Sequence, residues 1–147
     1  MPVCLALCEH LGLGGEALLA TYTVGVEVSV RLGGAMPLAH YEHGWHATST
    51  ADVMGAAVAA ARLLGLDSKG IRTALGVAAS MAGGQRRNFG TMVKPLHTGH
   101  AARCGVVSAY LAAAGLTADP DILESPAGYF AVFAQGAVNT TLLVLLR

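Results

Sequence analysis

The chain has 147 residues, of which 54% are apolar and 12% charged, and nine acidic residues balance nine basic ones. An ordinary soluble domain is about 25% charged, so this chain has too little charge to coat a monomer and reads as a subunit or fragment whose surface something else covers. No basic stripe exists to neutralise phosphates, which excludes a nucleic-acid partner.

High hydropathy raises the question of a membrane. The longest Ala/Val run, residues 53–66, contains Arg62 and falls short of the ~20 apolar residues a span needs. Residues 140–146 are shorter still, and residues 1–8 carry no basic residue ahead of their apolar part, unlike a signal peptide. A cytoplasmic protein is the expectation, organised as a single helical domain over 1–147. Three cysteines argue against a disulfide framework. Cys4 and Cys8, one helical turn apart, are expected to act as small buried hydrophobes.

In chain order, residues 2–11 read as helical turns broken by Gly12, Gly14 and Gly15. Residues 16–32 follow as a helix on the spacing of Leu18, Leu19, Tyr22, Val26 and Val30, with Glu27 and Arg31 as an i,i+4 pair. Gly33 and Gly34 are expected to cap it. Residues 40–50 are a polar island, with His40, His43, His46, Tyr41, Glu42, Trp45, Thr48, Ser49 and Thr50 in a sea of Ala, Gly, Leu and Val. Ser49 and Asp52 form an S-x-x-D capping pattern for a helix reaching Leu64. That helix is almost free of side-chain bulk and is expected to be central and buried. Gly65 closes it, and Asp67 or Ser68 opens the next, which runs to Met81 before Gly83 and Gly84.

Residues 85–93 read as a loop, and Pro95 as the first residue of a third Ala-rich helix ending at Gly115, because proline has no amide hydrogen to lose there. A short helix is expected over 119–124. Residues 128–147 mix aromatics with a Leu/Val tail in no clear pattern. The fold class is all-α, with Ala/Gly-rich helices joined by short glycine connections.

A second polar island, residues 88–100, holds Lys94, His97 and His100. Lys94, beside the start of a helix, can add its ammonium to free amide hydrogens and the positive dipole end. That combination suits a carboxylate or phosphate, and Thr91 and Asn88 can add donors. His46 can bond a carboxylate or move a proton near neutral pH. The competing readings are a solvated lysine and a buried structural histidine. A metal site built from the five histidines is disfavoured, because Gly44 breaks the helical spacing and Glu42 is the sole acid among them. A nucleophilic serine or cysteine lacks its strand–turn–helix setting.

The run 44–50 (Gly-Trp-His-Ala-Thr-Ser-Thr), Gly55-Ala56-Ala57, residues 61–67, residues 74–80, residues 90–99 and Ile122-Leu123-Glu124 together resemble the MmgE/PrpD family over about residues 2–133. Members include 2-methylcitrate dehydratase, cis-aconitate decarboxylase and an iminodisuccinate epimerase. The resemblance implies a large helical domain, a smaller α/β domain, dimerisation or a higher homo-oligomer, and no metal or organic cofactor. It also implies lyase-type acid–base chemistry beside a carboxylate of a small di- or tricarboxylate. His46 matches the family's active-site histidine and Lys94 its active-site lysine, with Thr48, Thr91 and His97 as supporting or binding residues. The family's upstream histidine and Asp-rich stretch and its second domain find no match here. The chain is therefore expected to be a central fragment that lacks part of the family's site, with a divergent tail over 134–147. A non-catalytic helical oligomerisation module is the alternative.

Overall fold

The computed structural model describes residues 1–135 and 138–144, and among these every regular element is helical. The chain opens on α1 (Pro2–Leu11) and α2 (Gly15–Ala35), with α3 (Leu38–Glu42) and α4 (Ala47–Thr50) as short turns between α2 and α5 (Asp52–Leu63). Then come α6 (Ser68–Met81), α7 (Val93–Ala113), α8 (Tyr129–Phe133) and α9 (Thr141–Val144).

Helix α5 is the axis, packed on one side by α2 and on the others by α6 and α7. Its Val53, Met54, Ala57, Ala60 and Ala61 are buried. Small residues let the neighbours approach backbone to backbone. A methyl group placed on Gly25 of α2 would meet Ala59 and the Gly55 carbonyl at 3.1 Å, and one placed on Gly105 of α7 would press into the Ala56 backbone. At this spacing, packing rather than side-chain length holds the helices together.

Helix boundaries follow local chemistry. Gly12 and Gly65 adopt the left-handed conformation (φ 67° and 72°) that a side chain resists, and so end α1 and α5. Asp67 accepts the Gly70 amide at 2.8 Å and starts α6 as expected. Cys4, Cys8 and Cys104 are free and buried.

Four expectations need correction. Gly33 and Gly34 lie inside α2, against Ala51 and Leu142; the helix ends only where Pro37 forces Met36 into an extended conformation. Ser49 does not cap the central helix. It belongs to α4, and Asp52 opens α5 one residue after a helical Ala51. Pro95 is the third residue of α7, not the first. Residues 119–124 form turns: the Asp119 carboxylate accepts the Asp121 amide, and Arg72 holds the Pro120 carbonyl and Asp121, which diverts the backbone from helical bonding.

The stretch after residue 128 has more order than its composition suggests. Tyr129, Phe130 and Phe133 enter the larger core cluster beside Val53, Met54 and Cys104. Further on, Asn139 donates its amide to the Ala35 carbonyl and Arg31 donates to the Leu142 carbonyl, which lays α9 along α2. Residues 136, 137 and 145–147 of the expected tail lie outside the described residues.

The packing predicts opposite outcomes for two glycines. Gly55→Ala would drive a methyl group into the Gly25 carbonyl and Ser29, and should cost about 1–3 kcal/mol. Gly99→Ala, in α7 with nothing within 4 Å of the added carbon, should gain up to ~1 kcal/mol from helix propensity. Urea denaturation of both variants checks the pair.

Candidate functional site

The two polar islands meet. A short antiparallel bridge pairs Trp45 with Gln85: the His46 amide donates to the Gly84 carbonyl at 3.0 Å and the Arg86 amide to the Gly44 carbonyl at 2.7 Å. The Arg86 guanidinium lies over the Tyr41 ring, 4.1 Å from its centre, and reinforces the tie. Trp45 packs edge-on against Phe133, anchoring the bridge to the core. Gly84 sits at φ 118°, and a side-chain carbon there would lie 2.7 Å from the Ser49 side chain. Only glycine lets the 84–86 strand pass this close to α4.

The bridge aims His46 at α7. Its Nδ1 lies 3.0 Å from Nδ1 of His97, and both rings are buried. On another side its ring meets Phe89 edge to face, with centres 4.7 Å apart. The Lys94 ammonium lies 4.6 Å from the centre of the same Phe89 ring. One aromatic ring thus contacts both the imidazole and the ammonium. Phe89 was not singled out by its sequence context; its place as the one aromatic residue of the 88–100 island was the available signal.

The remaining site candidates separate. Thr91 is taken up locally: its hydroxyl donates to the Asn88 carbonyl at 2.8 Å and accepts the Val93 amide at 3.2 Å. The Lys94 amide is bonded to the Thr91 carbonyl, and Pro95 has no amide. The Val93 and Lys94 amides expected to form an anion cradle at the start of α7 are therefore occupied, both by Thr91. The Lys94 side chain itself is exposed. Thr48, half-buried as the second residue of α4, makes no side-chain hydrogen bond among the described residues. Next to it, the Ser49 hydroxyl is buried without a partner among them.

The other histidines diverge. His40 is buried, with Nδ1 2.9 Å from the Phe133 carbonyl and Nε2 2.9 Å from the Thr50 hydroxyl. A carbonyl only accepts, so His40 carries its proton on Nδ1 and serves as a structural pin. His43 is exposed and donates to the Ala39 carbonyl. His100 turns to the Cys104 thiol, 3.4 Å away. Among the described residues, no three His, Cys, Asp or Glu side chains converge as metal ligands would.

Burial first, then His97, then the Lys94 ammonium hold His46 below the ordinary imidazole value of 6.5. Near pH 7 the ring is therefore neutral and able both to accept and to donate a proton, beside a fixed positive charge.

The fold defines an all-α domain built from closely packed Ala/Gly helices. It belongs to the MmgE/PrpD family, whose N-terminal domain model matches residues 1–141, past the residue 133 expected from the motifs. The cis-aconitate decarboxylases of Homo sapiens and Mus musculus are 38% and 37% identical to it, and that of Aspergillus terreus 31%. Each alignment covers 92% of this chain and 29% of the relative, so the chain spans well under a third of the proteins it matches. Among the described residues no helix is long and apolar enough to cross a membrane.

The lowered His46 value predicts an acid-side sensitivity. The unfolded chain takes up this proton near pH 6.5 while the folded chain resists it, so His46 should reduce stability as pH falls below about 6.5. Thermal melts from pH 7.5 to 5.0 should show a shallower decline in His46→Gln than in the wild type.

Proposed function

We propose that this chain carries part of the active site of a lyase-type enzyme acting on a small di- or tricarboxylate, with cis-aconitate as the first candidate. The observation that carries the reading is the placement of His46 and Lys94 against one Phe89 ring. The family membership and the names of the relatives agree with it.

In this reading Lys94 engages a carboxylate through its ammonium. As negative charge builds on the carbon beside that carboxylate, the fixed cation offsets it. His46, neutral and largely desolvated, exchanges a proton with the reacting carbon or its substituent. Phe89 excludes water from one side and so strengthens both interactions. The chain spans 29% of the length of the decarboxylases it matches, and ligand binding is the property on which the reading is tested.

Calorimetric titration with cis-aconitate and citrate should show binding that falls at least 10-fold in Lys94→Ala, as expected when a charged hydrogen bond worth about 1.5–3 kcal/mol is lost. Binding unchanged in both Lys94→Ala and His46→Ala would refute the site.

A packing module without chemistry is the second reading, favoured by one observation. Helix α2 exposes Leu19, Val26 and Val30 at 61%, 41% and 63%, a continuous apolar stripe of the kind that marks contact surfaces. If that stripe mediates self-association, Val26→Glu/Val30→Glu should shift the chain toward monomer in sedimentation velocity while leaving tricarboxylate binding intact.

A further inference from the structure

The contact between the two imidazoles points to a role for His97 that differs from ligand binding. His97 is 9% exposed and His46 8%, and their Nδ1 atoms face each other at 3.0 Å. Two nitrogens at that distance hold one proton between them: one ring donates and the other accepts. The titratable and charged groups acting on His46 are His97 and Lys94, both from α7; α4 carries no charged residue, and Arg86 of the Gly84 segment turns its guanidinium to the Tyr41 ring. His97 sits in the first turns of α7 and packs beside Gly84, where a side-chain carbon, if present, would come within 3.4 Å of its Nδ1.

We propose that His97 is a positioning residue: by occupying Nδ1 of His46 it fixes that ring's orientation and tautomer, and leaves Nε2 as the one ring nitrogen that meets the carboxylate ligand. This deepens the proposed function and rests on it for the identity of the ligand, but the imidazole pairing is independent of any ligand. The arrangement follows a general pattern in which a functional histidine is held by a partner on its other nitrogen. The same sharing opposes a second proton, because a doubly charged pair would set two cations face to face beside the Lys94 ammonium.

The test uses 15N-detected NMR of the histidine rings across pH 5–8 in the wild type, His97→Ala and His97→Asn, without ligand. Asparagine places an amide near the position of Nδ1 and can keep the hydrogen bond. The wild type should show His46 in a single neutral tautomer, with a titration midpoint below 6.5. In His97→Ala, His46 should populate both tautomers and its midpoint should rise. His97→Asn should restore the single tautomer and confirms that the fold is intact if the alanine variant is unstable. Citrate affinity should fall about 10-fold in His97→Ala, the effect of one lost hydrogen bond, and return to within about threefold in His97→Asn. An unchanged His46 tautomer and midpoint in His97→Ala overturns the proposal. So does a loss of citrate binding with the His46 signals unaltered, which would make His97 a direct ligand contact. If citrate and cis-aconitate fail to bind the wild type while the tautomer effect appears, the positioning role stands and the carboxylate reading falls.

Discussion

The structure depends on how little side chain α5 has. With Gly55, Ala56, Ala57 and Ala59–Ala61 along it, the backbones of α2 and α7 come close enough for Gly25 and Gly105 to be required at the crossings. Dispersion falls steeply with distance, so a helix interface of this kind is rigid in proportion to its tightness. That rigidity places α7, and with it Lys94 and His97, at a fixed height relative to the turn leaving α4. A bulkier central helix would separate the two islands and widen the 3.0 Å imidazole contact.

The long helices were legible because their determinants are local. Gly65, Asp67 and Gly115 act within one turn of their own position, and the low bulk of residues 52–63 announces a buried helix without any knowledge of its partners. The polar islands were legible for a different reason: in a chain so short of charge, a cluster of imidazoles stands out. His46, His97 and Lys94 do converge, while His40 and His43 are taken up by the Phe133 and Ala39 carbonyls.

What escaped the sequence depends on distant partners. Whether Gly33 ends a helix is decided by Ala51 and Pro37, and whether residues 119–124 coil is decided by Arg72, 48 residues from Pro120. Thr91 reads as a free donor in the sequence, but its hydroxyl donates to the Asn88 carbonyl and accepts the Val93 amide. Phe89 has no distinguishing neighbours in the chain, since its role comes from His46 on one side and Lys94 on the other. The aromatic residues 129, 130 and 133 read as patternless because a five-residue helix is too short to display a period.

His40 bonds the carbonyl of Phe133 across 93 residues, and Trp45 leans on the Phe133 ring. The loop that presents His46 is therefore clamped by a segment made long after it. Loop closure over such a separation is entropically slow compared with coiling of α5 or α6. Residues 129–133 leave the ribosome last of these groups, so the clamp on the His40–Trp45 turn is completed after the helices it braces have been made. Order in this site is acquired late, as a product of tertiary closure and not of the helices that carry its residues.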